Sequence, residues 1–272
     1  MVSNIEKDRL IYKKAKTFLY ENSPSDVTDE IIESYLSVPV LSNENTSLKD
    51  IYKRLLESAQ NANMKAGVIS GSIDGIENLS KVLFEFDHRK VLNIYLGHEV
   101  LLLSDIIEKL KPRGKIRTEE KSIWPKYCRS ITSAAEFLTQ FSDSKEFFDW
   151  ANYFYNDKKS LAALPMIIDA EVYGIAFPLA CDFLKELGFI NYGKPDVHLK
   201  DIFEASGLVP LKSSNYQILK AISRVAESNN ETAYNVDKIF WLLGSGYYYN
   251  HKHLGKKGRF PRLKEKFIKS LK

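Results

Sequence analysis

Cysteine is scarce in this sequence, and long apolar runs are missing. Its 272 residues include two cysteines, Cys128 and Cys181, so a disulfide framework is not expected and an intracellular setting fits. No apolar stretch approaches the ~20 residues of a membrane-spanning helix, and the segment from Met1 to Asp8 does not have the pattern of a signal peptide. We therefore expect a cytoplasmic protein that does not contact a membrane.

Alternating patterns typical of β-strands are also missing. Apolar residues instead recur at the three- and four-residue spacing of amphipathic helices. The composition, 44% hydrophobic and 27% charged residues, is ordinary for a globular protein. The sequence thus predicts an all-α fold. Helices are expected at about residues 1–22, 28–36, 48–60, 91–95, 101–110, 122–141, 147–154, 179–187, 216–227 and 235–243.

Acidic residues nearly disappear after His251. From there to the C-terminus, nine Lys and Arg residues accompany one acidic residue, Glu265, whereas the rest of the chain has slightly more acidic than basic residues. A basic segment on a mildly acidic body is typical of phosphate contact with nucleic acid. The alternative is a solvated terminal helix. The first interpretation predicts DNA contacts from Lys252, Lys256, Lys257 and Arg259.

The middle of the sequence predicts two helices followed by a loop that ends in an acidic residue. Gly174 marks the end of one helix, and Phe177 and Pro178 open the next, because proline is well accommodated in a first helical turn. Apolar residues continue at helical spacing until Gly188. A short loop then leads to Asp196, where a further helix is expected to start.

This stretch resembles the helix-hairpin-helix DNA glycosylases of the endonuclease III superfamily. Their hairpin has the form Leu-Pro-Gly-Val-Gly-x-Lys-Thr-Ala, and an Asp-x-His follows, with the Asp sixteen residues after the Ala. Here Asp196 lies sixteen residues after Ala180, and His198 completes the Asp-x-His. Two further matches occur in the family's order. Leu55-Leu56-Glu57-Ser58-Ala59-Gln60 resembles an early Leu-Leu-Ser-Ala-Gln, and Trp241-Leu242-Leu243-Gly244-Ser245-Gly246-Tyr247 resembles a late Trp-Leu-Ile-Leu-His-Gly-Arg-Tyr.

The resemblance spans roughly residues 50 to 250 and implies a two-lobed helical fold. We expect residues 1–47 to be a helical N-terminal extension and 48–272 to be the glycosylase-like region. Within that region, a helical lobe of about 62–190 would be inserted into a lobe formed by the N-terminal and 197–272 helices. The expected partner is double-stranded DNA containing a damaged or modified base, bound by a monomer associated with the nucleoid.

The same resemblance gives Asp196 the catalytic role. Cleavage of an N-glycosidic bond develops oxocarbenium-like positive charge on the deoxyribose, which a nearby carboxylate stabilises while it activates the attacking water. The residues alone leave another interpretation open, in which Asp196 caps the helix that starts at Val197. The two roles are compatible, because a cap can also face a substrate.

The hairpin is expected to hold DNA through its backbone. N–H groups at a tight turn and a helix N-terminus bind phosphate without charged side chains, so Gly174, Ala176 and Phe177 are predicted DNA contacts. Ala176 stands where the family usually has its second glycine, and Pro178 where bifunctional members have the lysine that attacks the sugar. Proline cannot form a Schiff base, so we expect no strand-cleaving lyase activity. The alternative for this segment is a plain helical hairpin.

No cofactor and no metal are expected. Many family members bind an iron–sulfur cluster through four spaced cysteines, but Tyr247-Tyr248-Tyr249-Asn250-His251 and the basic tail occupy that part of this sequence. His251 and His253 are interpreted as a DNA-facing or exposed pair rather than as metal ligands.

A glycosylase must extrude its target base and fill the gap that the base leaves. Gln60 and Asn61, at the end of the early helix, are candidates for the residues that enter the duplex; alternatively, Gln60 ties down backbone carbonyls at the helix end. Trp124, Trp150 and Tyr153 are candidates for a base pocket, since flipped bases stack on aromatic rings. The aromatic residues of 147–154 also fit a hydrophobic core.

The sequence thus predicts a monofunctional DNA N-glycosylase. The alternative is a catalytically inactive DNA-binding protein on the same fold, because fold alone does not guarantee activity. A nuclease motif that starts at Pro195 is disfavoured, since no acidic-x-Lys on a strand follows it. Alkylated, oxidised, mismatched and hypermodified bases all remain open as substrates.

Overall fold

A computed structural model describes residues 4–38, 46–62 and 67–271, and it confirms the all-α fold. The described residues form fourteen α-helices, a short 3₁₀ helix at Ile76–Lys81 and no strand; one isolated antiparallel bridge joins Tyr247 to Arg259. The helices are α1 (Asn4–Asn22), α2 (Asp29–Leu36), α3 (Leu48–Ala59), α4 (Val68–Ser72), α5 (His88–Tyr95), α6 (Glu99–Leu110), α7 (Ile123–Leu138), α8 (Ser144–Tyr155), α9 (Ala163–Glu171), α10 (Phe177–Glu186), α11 (Val197–Ala205), α12 (Asn215–Asn229), α13 (Ala233–Ser245) and α14 (Lys264–Ser270).

Side chains that accept hydrogen bonds from free N–H groups fix several of the helix starts. Ser47 and Asp50 form a reciprocal capping box at α3, in which the Asp50 carboxylate accepts from the Ser47 N–H (2.9 Å). Thr28 caps α2 and Thr232 caps α13 through their hydroxyl oxygens. Such caps satisfy donors that the helix itself leaves unpaired. None of the described helices is both long enough and apolar enough to cross a bilayer.

The chain divides into two compact units. Met1–Val40 and Gly188–Lys272 make up the first, and Leu41–Leu187 makes up the second. The second unit starts before α3, whereas the sequence placed the start of the inserted lobe at about residue 62. Helix α3 belongs to the second unit because it is hydrogen-bonded to α7. Tyr52 of α3 donates to the Ile131 carbonyl oxygen of α7 (2.9 Å), and Tyr127 of α7 donates to the Leu56 carbonyl oxygen of α3 (3.1 Å).

The N-terminal helices contribute to the core of the first unit. Ile11, Ala15 and Leu19 of α1 are buried in the same cluster as residues of α11 and α13. Asp8 is 1% exposed and accepts from the Arg224 guanidinium of α12 at 2.7 and 3.0 Å. A paired, hydrogen-bonded charge is the form in which a buried carboxylate is tolerated.

The C-terminal helix is also part of the first unit. Phe267 of α14 is fully buried in the cluster that includes α11 and α13, and Lys264 pairs with Asp201 of α11 at 2.6 Å. The basic tail is therefore anchored on one side by apolar packing, while Lys266 and Lys269 remain exposed.

The second unit is centred on α7, which packs against α3, α5 and α6. Cys128, Ile131, Ala134, Ala135 and Leu138 of this helix are fully buried. The hairpin between α9 and α10 is built on the same unit, because α10 packs against α3.

Candidate active site

Asp196 caps α11, as one of the two interpretations of the sequence predicted. Its Oδ1 accepts from the N–H groups of His198 (2.8 Å) and Leu199 (3.2 Å), and its own backbone is extended. The two bonds fix one carboxylate oxygen at the helix N-terminus, where the helix dipole favours negative charge. Both cap bonds go to Oδ1, and no hydrogen bond from a described residue reaches Oδ2, so this second oxygen can bind a substrate or a water molecule.

The surroundings of Asp196 shift its ionisation. Burial raises the pKa of this half-buried carboxyl to about 6, while Lys194 acts to lower it, Asp237 acts to raise it, and the two backbone N–H groups act to lower it. The carboxyl is therefore mostly ionised at pH 7, yet it is far more basic than an exposed aspartate. Such a group can accept a proton near neutral pH, which is what a general base must do.

Asp237 reaches this neighbourhood from α13. The N–H of Tyr234, in the first turn of α13, donates to the carbonyl oxygen of Ile190 (2.9 Å). A Cβ atom on Gly193 would lie 3.1 Å from the Cβ of Asp237, whose side chain is 1% exposed. The loop that carries Asp196 is thus packed directly on α13, and this contact explains why Asp237 acts on the pKa of Asp196.

Lys238, the next residue of α13, is a buried cation beside the same loop. Its side chain is 4% exposed; its Nζ donates to the Tyr249 hydroxyl (2.9 Å) and lies 4.9 Å from the centre of the Tyr234 ring. Aromatic faces stabilise a cation that has lost most of its water. Sequence reasoning missed Asp237 and Lys238. Their position in the sequence could have indicated them, because Asp237 lies four residues and Lys238 three residues before Trp241, where the late family match begins.

His198 is held as a neutral imidazole. Burial lowers its pKa, and the nearby charges of Lys264 and Arg262 lower it further. Its Nδ1 is buried without a hydrogen-bond partner among the described residues. The histidine of the Asp-x-His therefore packs within the first unit.

The predicted DNA-binding hairpin lies in the second unit, and its shape depends on the backbone conformation of its turn. Gly174 has a φ of +82°, and a side chain at this position would clash with the Ser130 hydroxyl, so glycine is required there. Ala176 is the N-cap of α10 and makes no side-chain cap, and Phe177 is buried. Pro178 lacks an N–H, so this helix start offers phosphate fewer donors than the family hairpin.

The lysine nearest to this hairpin along α10 is already engaged. Lys185 is 3% exposed, and its Nζ lies 3.3 Å from a carboxylate oxygen of Asp182 and 3.7 Å from one of Glu186. Asp182 also lies 3.8 Å from the Arg54 guanidinium of α3. A protonated amine in such a network is a poor nucleophile.

Gln60 and Asn61 follow α3 in the second unit. Gln60 is 9% exposed, and its Oε1 accepts from the Ser70 N–H (3.2 Å) of α4. Asn61 donates from Nδ2 to the Glu57 carbonyl oxygen (3.2 Å). Both side-chain amides thus bind backbone groups. This resembles the alternative in which Gln60 has a structural role at the helix end, except that Gln60 binds an N–H group instead of carbonyl oxygens. Their insertion into a duplex stays a prediction.

The three aromatic candidates for a base pocket lie in different environments. Trp124 is 6% exposed and packs edge-on against Tyr127, whereas Tyr153 is 77% exposed. Trp150 is half-buried, with ring centres of four phenylalanines within 6.0 Å: Phe137, Phe141, Phe147 and Phe154. The stripe of α8 thus builds a core through Trp150, and the pocket role of the three residues stays a prediction.

The basic residues after α13 are accessible to a partner. Lys252, Lys256 and Lys257 are exposed, and Arg259 is half-buried with its guanidinium 3.8 Å from the centre of the Tyr247 ring. His251 and His253 lie side by side, with ring centres 5.8 Å apart. Over the ranges that the structure describes, no group of three or more His, Cys, Asp or Glu side chains is placed to hold a metal ion.

Comparison with known proteins identifies the fold. A scan against protein-family models finds no match, and a search of the curated proteins finds none. Among solved structures, the 8-oxoguanine glycosylase/lyase of Methanocaldococcus jannaschii, in complex with a 15mer DNA containing 8-oxoguanine, is similar with a TM-score of 0.51 and 18% identity, over 86% of this chain and 96% of that one. The 8-oxoguanine DNA glycosylase of Thermotoga maritima gives a TM-score of 0.50 and 15% identity, over 87% and 96%. This chain thus shares its helical fold with DNA glycosylases.

Proposed function

We propose that this protein is a monofunctional DNA N-glycosylase that flips and excises a damaged or modified base. The observation that carries the proposal is Asp196, a half-buried carboxylate with a raised pKa of about 6, fixed at a helix start in a fold shared with DNA glycosylases. Perturbed ionisation at a defined position is typical of functional groups. The shared fold adds the substrate class by analogy.

In this mechanism the Asp196 carboxylate acts on the sugar. The bond between C1′ and the base breaks with its electron pair leaving on the base, and positive charge develops on C1′ and the ring oxygen. Asp196 stabilises that charge and takes a proton from the water whose oxygen bonds to C1′. The departing base takes up a proton from solvent, and Asp196 releases its own proton to solvent. The products are a free base and an abasic site.

The other residues are assigned to the grip on DNA. Gly174, Ala176 and Phe177 would bind one phosphate through the backbone, and exposed Lys252, Lys256 and Lys257 with Arg259 would neutralise others. Gln60 and Asn61 would fill the gap left by the base, and Trp124, Trp150 and Tyr153 would line the base pocket. We propose that the protein acts as a monomer.

The absence of lyase activity is part of the proposal. Pro178 stands at the position that the family resemblance gives to the attacking lysine, and the Lys185 amine is already paired with the Asp182 and Glu186 carboxylates. Incubation with an abasic duplex and borohydride should therefore give no covalent protein–DNA adduct. A trapped adduct would overturn the monofunctional assignment and leave the glycosylase assignment intact.

Base release is the direct test. Purified protein is incubated with duplexes that each carry one modified base, and released bases are identified by mass spectrometry. Both structural neighbours are 8-oxoguanine glycosylases, so 8-oxoguanine is the first base to include, beside alkylated, mismatched and hypermodified bases. Release by the wild type but not by Asp196→Asn supports the proposal. Binding of duplex DNA without release of any base supports the catalytically inactive alternative.

A further inference from the structure

A tyrosine of the N-terminal helices touches the segment that carries the basic residues. Tyr35 of α2 is 1% exposed. Its hydroxyl oxygen accepts from the N–H of Asn250 (2.9 Å) and lies 3.1 Å from Nδ1 of His251. Because burial raises the pKa of Tyr35 to about 12, the hydroxyl keeps its proton and can donate it to His251.

Ring contacts extend this attachment. The Tyr35 ring packs edge-on against Tyr249 and Tyr248, with ring centres 5.1 and 5.7 Å apart. The Tyr248 hydroxyl in turn lies 3.2 Å from the Ser23 hydroxyl, in the turn between α1 and α2. Edge-to-face pairs of this kind add stability beyond the area that they bury. Four consecutive residues, 248–251, are thus fixed by the N-terminal helix pair.

Residues 248–251 lie near the start of a loop, Gly246–Phe260, which we call the basic loop. Its ends are joined by two backbone bonds, from the Tyr248 N–H to the Gly258 carbonyl oxygen (2.7 Å) and from the Phe260 N–H to that of Gly246 (2.8 Å). Gly258 has a φ of +75°, and a side chain there would clash with the Tyr248 carbonyl oxygen. The closure therefore depends on the absence of a Cβ atom at this position.

The outer part of the basic loop has one sign of charge. Lys252, Lys256 and Lys257 are exposed, and the loop contains no acidic residue. Arg259 stacks on the Tyr247 ring (3.8 Å), which limits the rotation of its guanidinium. Held cations bind phosphate with a smaller loss of side-chain entropy than free ones.

We propose that the basic loop is a preformed clamp for the phosphate backbone of duplex DNA, and that Tyr35 is its positioning residue. The inference rests on the proposed DNA substrate. It gives the N-terminal helix pair a function that the sequence did not indicate: α1 and α2 hold the clamp in shape. Tyr35 does not touch DNA itself; it acts through the position of Lys252, Lys256 and Lys257.

The test compares two matched substitutions in the N-terminal pair. Tyr35→Phe removes the hydroxyl that binds the loop and keeps the ring. Tyr20→Phe is the control, because the Tyr20 hydroxyl of α1 bonds to Glu33 of α2 and not to a residue of the basic loop. Affinity for an undamaged duplex is measured as a function of salt, for both variants and for a variant in which Lys252, Lys256 and Lys257 are all changed to Gln. Thermal melting checks that each variant is folded.

Tyr35→Phe should bind duplex roughly three- to tenfold more weakly, in line with the loss of one or two hydrogen bonds. The slope of log affinity against log salt should become shallower by about 1 to 2, since each lost phosphate contact contributes about 0.9. Trypsin should cut the loop faster at Lys252, Lys256 and Lys257 in this variant. Tyr20→Phe should leave all three measurements unchanged, and in the triple Gln background Tyr35→Phe should have no further effect on binding.

Other outcomes separate this inference from the proposed function. Equal affinity and equal salt slope for Tyr35→Phe and the wild type would overturn the clamp, even if the wild type excises bases. A full additional loss in the triple Gln background would also overturn it, because Tyr35 would then act elsewhere. A wild type that releases no base, but whose duplex binding is weakened by Tyr35→Phe and by the triple Gln substitution, would leave the clamp standing and refute the glycosylase. A wild type that binds no duplex would refute the clamp.

Discussion

The loop that ends at Asp196 and the turn that ends at Phe177 both lead into a helix, but the first is rich in ionisable side chains and the second has almost none. The first places ionisable side chains together, because Lys194 acts to lower the pKa of Asp196 and Asp237 acts to raise it. The second has no ionisable side chain between Val172 and Phe177 other than the exposed Tyr173, and its shape depends on Gly174. A carboxylate can stabilise developing positive charge and accept a proton, whereas backbone N–H groups at a turn bind anionic groups such as phosphate. We therefore assign the reaction to the first region and strand contact to the second.

The largest expected effect separates these two roles at Asp196. Asp196→Asn keeps an N-cap side chain but removes the negative charge that stabilises the oxocarbenium-like transition state. The single-turnover rate of base release should fall by about 10³-fold or more, while affinity for duplex stays within about threefold of the wild type. Asp201→Asn on the same helix is the control, and it should change neither. A similar loss of rate in both variants would remove the special role of Asp196.

The stability of Asp196→Asn should change in the opposite direction to its activity. A folded-state pKa of about 6 lies above the value of an unfolded aspartate, about 3.9. Ionisation therefore costs the folded state more than the unfolded state, and this cost is present above pH 6 and absent below pH 4. Asp196→Asn should raise the free energy of unfolding by about 1–3 kcal/mol at pH 8 and by little at pH 4. Denaturant unfolding at the two pH values measures this; equal effects at both would contradict the electrostatic account.

Gly174→Ala should have the opposite effects to Asp196→Asn, with lower stability, weaker DNA binding and an unchanged rate of base release. A side chain at a φ of +82° is strained and clashes with Ser130, so unfolding free energy should fall by about 1–2 kcal/mol. If the turn only holds DNA, affinity should fall by roughly tenfold, the equivalent of one or two hydrogen bonds. The rate at saturating protein should be unchanged. The control is Ala176→Gly, which restores the residue usual in the family and should not weaken binding. A lower rate at saturation would break the proposed division of roles.

The smallest expected effect tests the influence of Asp237 on Asp196. Asp237→Asn removes a neighbouring negative charge that acts to raise the Asp196 pKa. The midpoint of the pH–rate profile should move to lower pH but stay above the value of an exposed aspartate, because burial is the larger cause of the raised pKa. Thermal melting identifies a variant that is simply misfolded. A shift to higher pH would show that Asp237 acts in another way.

The local features of the fold follow well from the sequence, and the partners of distant residues do not. Helical spacing, Pro178 and the cap at Asp196 placed α10 and α11 correctly, since these signals act within a few residues. The pairing of Asp8 with Arg224 joins residues 216 positions apart, and nothing in local spacing indicates it. Leu10 of α1 lies next to the buried Ile11, yet it is 50% exposed, because helical spacing predicts which face is apolar but not how much of that face is covered.

The candidate site follows the same rule. The spacing from Ala180 led to Asp196, but its raised pKa depends on burial and on Asp237, which α13 supplies from 41 residues further along the chain. The aromatic stripe of α8 was compatible with a core or a pocket, and only packing shows that Trp150 lies among phenylalanines while Tyr153 faces solvent. Residue type limits what a side chain can do, and tertiary contacts decide which of these roles is available.

The pH dependence of base excision tests the central claim most directly. Single-turnover release is measured between about pH 5 and pH 8 on a duplex that the wild type processes, for the wild type and Asp196→Asn. If the Asp196 carboxylate is the catalytic group, the wild-type rate rises with pH and levels off, with a midpoint near 6, and the residual rate of the variant shows no such inflection. A wild-type rate that does not change across pH 6, or the same inflection in both proteins, would contradict the account.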